Sequence, residues 1–122
     1  DQPGSMVVAN NLASLLTDRR TDQASKDRAF TIALPLAKSQ VPQFKDTLGW
    51  IYYQRGDYRN AITLLEEAAT ALPNNGWVRY HLGMAYAASA AEEKATEHLK
   101  KALEFEGGDA DLKSKILAAM KK

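Results

Sequence analysis

Six positions recur along this chain at one constant offset: Leu48, Gly49, Tyr52, Ala61, Leu65 and Ala68 fall onto Leu82, Gly83, Tyr86, Ala95, Leu99 and Ala102, 34 residues later. Within each copy the shared residues stand three and four apart, the period that gathers apolar side chains on one face of an α-helix. The alternation that a strand requires is missing. The repeat therefore restricts the chain to an all-α fold in which successive helices stack.

Local signals divide each copy into two helices. In the copy at residues 42–75 the first helix is predicted to end at Gly56, because a residue without Cβ enters the left-handed conformation that follows a helix C-terminus. Asp57 then caps the next helix through its carboxylate. That helix runs from about Tyr58 to Leu72 and stops at Pro73, which has no amide proton to donate; Asn74-Asn75-Gly76 turns the chain back. Residues 76–108 begin the cycle again.

Residues 6–41 read as an earlier, degenerate copy. "NNLASLLTD" aligns as its first helix, with Leu12, Ala13 and Leu16 at the shared places, and "RAFTIALPLAKS" as its second, with Ala29 matching Ala61. Leu12 and Ala29 are 17 residues apart where Leu48 and Ala61 are 13 apart, which predicts an insertion of four in the turn "DRRTDQASKD". Pro35 predicts a kink in the second helix, since the bond back to Thr31 cannot form. After Gly107-Gly108, Asp109 is placed to cap a last helix within residues 109–122. Leu112, Ile116, Leu117 and Met120 are expected to face inward on it, and Lys113, Lys115, Lys121 and Lys122 to face water. Ile116 follows Leu82 by 34 residues, so this helix keeps the register and closes the stack. Residues 1–5, Asp1-Gln2-Pro3-Gly4-Ser5, carry neither basic residues nor an apolar stretch; they read as an expression remnant rather than a signal peptide and are left outside the fold.

The pattern resembles the tetratricopeptide repeat, a helix-turn-helix unit of the same period. Leu48, Gly49, Tyr52, Gly56, Tyr58, Ala61, Leu65, Ala68 and Pro73 match its signature in the second copy, whereas its first aromatic position is Lys45 there and Arg79 in the third copy. The resemblance implies a solenoid of about three repeats with a C-terminal capping helix. It also implies that Gly49 and Gly83 let the paired helices approach closely, with the small Ala61 and Ala95 facing them.

In that family the first helices line a concave face. Projection onto it selects Asn10, Ser14 and Thr17, then Gln43, Asp46, Trp50, Tyr53 and Gln54, then Trp77, Tyr80, Met84 and Ala88. The resemblance implies a noncatalytic scaffold that binds a peptide or helix of another protein in this groove. Trp50, Tyr53, Trp77 and Tyr80 have the composition of a binding hot spot, but the same rings also suit packing against a neighbouring repeat or subunit. One subgroup of the family clamps C-terminal carboxylates with lysines and asparagines; only Asn10 and Asn11 echo it, because the later copies carry Asp46, Trp50, Tyr80 and Met84 at those places. "NNLASLLTD", "DTLGWIYYQRGDY" and "RYHLGMAY" together also resemble the C-terminal repeats of bacterial proteins associated with exopolysaccharide export and surface sorting. That implies a bacterial source and leaves cytoplasm and periplasm both open, as does the absence of cysteine.

The third copy lacks the breaker of the second. Gly56-Asp57-Tyr58 is replaced by Ala90-Ala91-Glu92, and from Tyr80 to Phe105 helix formers dominate with no glycine after Gly83. Two outcomes follow. The helices fuse and the hairpin opens at Ser89, Ala90 and Ala91, which would let two molecules exchange halves in a domain-swapped dimer; or Ser89 caps a fresh helix with Glu92 completing a capping box. Self-assembly, through this hinge or as one end of a longer solenoid, is thus the second functional reading beside partner binding.

Reactive chemistry finds little support. His81 and His98 are the only histidines, fall on different helices and lack the spacing of a metal motif, and no phosphate-binding loop follows Gly107-Gly108. No metal or cofactor is expected. With 16 basic and 15 acidic side chains the net charge is +1, and the basic residues form no stripe among the aromatics, so nucleic acid is not an expected partner. No apolar run approaches the roughly 20 residues of a membrane-spanning helix.

Overall fold

The period of three and four residues is realised as seven α-helices and one 3₁₀ turn, with no strand, in a computed structural model that describes residues 3–121. They are α1 (Pro3–Arg19), α2 (Gln23–Ala33), a 3₁₀ turn (Leu34–Lys38), α3 (Pro42–Gln54), α4 (Tyr58–Ala71), α5 (Gly76–Ala88), α6 (Glu92–Glu104) and α7 (Ala110–Met120). Asp1, Gln2 and Lys122 lie outside the described residues. Because α1 begins at Pro3, the segment Pro3–Ser5 is helical and not excluded from the fold.

Side-chain caps start four of the helices where short polar residues precede an apolar run. Asp22, Asp57, Asn75 and Asp109 accept from the amides of Ser25, Asn60, Val78 and Leu112 at 3.0, 3.3, 3.1 and 3.0 Å. Pro35 ends α2 as its missing amide requires: the chain tightens into the 3₁₀ turn from Leu34. The extra residues of the first copy lengthen its helices and not its turn. Residues 20–22 join α1 to α2 as residues 55–57 join α3 to α4, and an added first turn of α2, capped by Asp22, takes up most of the insertion.

The helices pair as α1 with α2, α3 with α4 and α5 with α6, and each pair packs on the next. Leu48, Leu82 and Ile116, at successive steps of 34, are each fully buried. Leu48 packs with Ala13, Ala29, Ala33 and Leu36 between the first two hairpins. Leu82 joins Ala61, Leu65 and Ala68 between the second and third, and Ile116 joins Leu99 and Ala102 between the third and α7. One apolar seam thus runs the length of the stack.

The close approaches within hairpins match expectation in part. A Cβ on Gly49 would lie 2.8 Å from Leu65 Cγ and 3.3 Å from Leu64 Cβ, so leucines rather than Ala61 fill that space; one on Gly83 would lie 2.9 Å from Leu99 Cγ and 3.3 Å from the carbonyl of Ala95, which faces it as expected. Leu12 is 37% exposed although it aligns with the buried Leu48, because among the described residues no other hairpin packs on that side of α1. Leu117 and Met120 are likewise exposed, at 41% and 36%; α7 turns Leu112 and Ile116 toward α5 and α6, and no described element packs on its other side.

The third turn closes within the chain. Ala90 takes φ +64, the counterpart of Gly56 at φ +82, and Ala91 N donates to Tyr86 O at 2.9 Å just as Asp57 N donates to Tyr52 O at 2.9 Å. Hence α5 and α6 are not fused. The left-handed conformation costs alanine about 1–2 kcal/mol, whereas burying one leucine such as Leu99 against α5 contributes about 1.5–3 kcal/mol, so packing overrides local propensity. Nor is Ser89 an N-cap: it ends α5, its Oγ donates to Ala85 O at 2.9 Å, and α6 starts after Ala91 without a side-chain cap.

Candidate functional site

First helices pack on first helices, α1 on α3, α3 on α5 and α5 on α7, while among the described residues second helices pack only on first helices. The first helices therefore form the inner layer. An open groove of about 500 Å³ runs along it, lined from α1 by Ser14, Thr17 and Asp18, from α3 by Asp46, Thr47, Trp50 and Ile51, from α5 by Trp77, Tyr80 and His81, and from α7 by Asp111 and Lys115.

Its wall is a fixed aromatic stack. Trp50 lies between Tyr53, at 4.5 Å and 9°, and His81, at 4.1 Å and 23°. His81 Nδ1 donates to Asp46 Oδ1 at 2.8 Å, which holds the imidazole against Trp50 and ties α5 to α3. Trp77 meets Tyr80 edge-on, with ring centres 6.0 Å apart at 84°, and its indole N–H donates to Asp109 Oδ2 at 2.9 Å. Both tryptophans are thus oriented before any ligand arrives. Ser14 and Thr47 hydroxyls, which also line the groove, lie 3.4 Å apart across α1 and α3. Burial raises the Tyr53 and Tyr80 phenols above their ordinary range, and the Leu112 amide, followed by the Trp77 indole, lowers the Asp109 carboxyl.

Of the residues projected onto the inner face, Ser14, Thr17, Asp46, Trp50, Trp77 and Tyr80 line this groove, and Tyr53 backs it by stacking on Trp50. Tyr80 is 8% exposed, so it serves chiefly as a packing element between Trp77 and α7. Asn10 and Gln43 lie one turn earlier on α1 and α3 and are not part of the lining; Asn10 Oδ1 is shielded from solvent without a hydrogen-bond partner. Gln54 and Ala88 are exposed at the helix ends. Met84 borders a different cavity, of about 320 Å³, with Leu99, Ala119 and Met120.

Asp18, Thr47, Ile51, His81, Asp111 and Lys115 line the site without having been projected onto it from the sequence. The signal for Asp111 was present: Gln43, Trp77 and Asp111 are successive steps of 34, so carrying the projection into α7 reaches it. Thr47, His81 and Lys115 form a second series at the same step, one that contains no projected residue.

A tetratricopeptide repeat family model matches residues 52–119, more than half of the chain. Among solved structures, a thermophilic TPR protein of Thermus thermophilus is similar at 20% sequence identity with a TM-score of 0.68. The match covers 98% of this chain and 63% of that one, so this chain spans less than two thirds of its length. At that identity the likeness is one of fold. No curated protein matches.

Proposed function

The chain belongs to the tetratricopeptide repeat family, a fold that mediates protein–protein interactions, and from that premise we propose that it is a noncatalytic scaffold whose inner groove seats a peptide or helix of another protein. The observation that carries this reading is the stacked wall Tyr53–Trp50–His81, pinned by Asp46 and open to a cleft of about 500 Å³. Rigid aromatic surface offers contact area with little entropy left to lose on binding. Peptides selected by display against the chain test it, with affinity compared between the native protein and Thr17→Phe, which adds neutral bulk to the α1 lining of the cleft. Loss of binding with an unchanged helical spectrum supports the groove. Unaltered affinity would place the ligand elsewhere and sink the proposal.

Self-assembly is the second reading, and Ala90 is the observation that favours it. Its φ of +64 stores strain that straightening of the α5–α6 turn releases, so an opened hairpin would exchange α6 with a second molecule. Val8, Leu12 and Leu15, exposed at spacings of four and three along α1, favour the related arrangement in which a further helical pair stacks there. Light scattering across a concentration series separates these from a monomeric binder: concentration-dependent dimers that Ala90→Gly abolishes support the swap. The likeness to exopolysaccharide-export and surface-sorting repeats makes an assembly partner at the bacterial surface part of the same proposal.

A further inference from the structure

The geometry points to a positively charged occupant: a peptide segment carrying lysine or arginine side chains. This inference rests on the groove reading above and names the chemistry of its ligand. The chain as a whole is close to neutral, with 16 basic and 15 acidic residues, yet the groove draws Asp18, Asp46 and Asp111 from three different helices and only Lys115 against them. Asp46 is engaged by His81. Asp18 and Asp111 stand on opposite ends of the cleft, on α1 and α7, and among the described residues neither makes an ion pair within 4.0 Å. Elsewhere Asp27 pairs with Arg55 and Glu67 with Lys45; what sets the groove apart is that two carboxylates without an ion pair, from different helices, border one aromatic cleft.

Aromatic surface and carboxylates suit the two halves of a long basic side chain. Lysine and arginine lay their methylene stems on apolar rings while the charged head reaches water or an acid. Trp77 meets Tyr80 edge-on and His81 at 46°, so neither ring covers its face in parallel and a cation can lie over it. A cavity of about 500 Å³ has room for more than one such side chain. An acidic peptide or a nucleic acid backbone would instead bring like charge against Asp18 and Asp111.

The test uses three pools of labelled synthetic peptides, equal in length and otherwise randomised alike, whose charged positions are all Lys, all Glu or all Gln. Fluorescence polarisation reads their binding to the native protein, to the surface double variant Asp18→Asn/Asp111→Asn, and to Thr17→Phe. The Lys pool is expected to bind tightest, to weaken about tenfold in the double variant, as two partly exposed charge pairs allow, and to weaken further with added salt. Thr17→Phe should abolish its binding. Binding of the Gln or Glu pool as tight as that of the Lys pool, blocked by Thr17→Phe but untouched by the double variant, would overturn the charge preference and leave the groove standing. Binding that Thr17→Phe does not block, in any pool, overturns both.

Discussion

Ala90 repeats in the third hairpin the backbone conformation of Gly56 in the second, φ +64 against φ +82, with the same amide-to-carbonyl bond closing each turn. One of the two residues is suited to that region and the other is not. The left-handed state costs an alanine about 1–2 kcal/mol. Glycine returns part of this, about 0.4–1 kcal/mol, through its freer unfolded chain. Ala90→Gly is therefore expected to raise stability by about 0.5–1 kcal/mol and Gly56→Ala to lower it by a similar amount. Chemical denaturation of both variants checks the pair, and changes of the same sign would contradict the shared geometry.

The glycines inside the hairpins do a different job. At Gly49 even a methyl group would come within 2.8 Å of Leu65 Cγ and 3.3 Å of Leu64 Cβ. Helix propensity rewards any replacement of glycine by up to about 1 kcal/mol, but overpacking a fully buried contact costs about 1–3 kcal/mol. For Gly49→Leu, whose larger side chain has no space to enter, overpacking should win. A net loss of about 1–3 kcal/mol in unfolding free energy is expected from denaturation, and an unchanged midpoint would contradict the packing of α3 on α4.

How much of this was legible in the sequence follows from what a periodic pattern reports. Leu48, Leu82 and Ile116 were readable because a seam between stacked hairpins needs one large apolar residue at each step. Leu12, Leu117 and Met120 obey the same period and are exposed, since periodicity marks the face of a helix and not whether a neighbour covers it. The α5–α6 turn was ambiguous for a related reason: propensity is local, and the contacts that force Ala90 to turn lie in the body of α6. In the groove, Trp50 and Trp77 were legible as aromatic residues on the inner face of first helices, at different steps of the repeat. Met84 occupies the register of Trp50 but borders the cavity under α7, where the closing helix has changed what the inner face meets.

His98 makes the stability of the third hairpin depend on pH. It is 8% exposed on α6, stacks on Tyr86 of α5 at 5.5 Å and 11°, and its Nδ1 accepts from Arg79 at 3.0 Å. Tyr86 in turn donates its hydroxyl proton to Glu66 on α4, so three helices meet at this ring. Burial first, then the Arg79 charge, lower the imidazole below its ordinary value of 6.5; Glu66 and Glu97 oppose this less strongly, and Lys94 adds the smallest lowering influence. A base whose folded value is depressed binds a proton more readily when unfolded. Its contribution is thus complete above about pH 6.5 and is lost as the pH falls below that. Denaturation midpoints measured from pH 7 to pH 5, above the range of the lowered carboxyls Asp22, Asp27 and Asp109, should fall for the native chain and stay flatter for His98→Gln.

Asp109 joins the end of the stack to the groove through its two oxygens. Oδ1 accepts from the Leu112 amide at 3.0 Å and caps α7, while Oδ2 accepts from the Trp77 indole at 2.9 Å. Asparagine caps nearly as well as aspartate but offers one oxygen, so Asp109→Asn keeps the cap and turns an amide donor toward the indole N–H. Alanine keeps neither contact. Thermal stability is expected to fall in the order native, Asp109→Asn, Asp109→Ala, with the Trp77 emission altered in both variants because its hydrogen bond is gone in both. Equal losses for the two variants would mean that the cap adds nothing to α7. An Asp109→Asn protein indistinguishable from the native one in stability and emission would mean that Trp77 is held by packing alone.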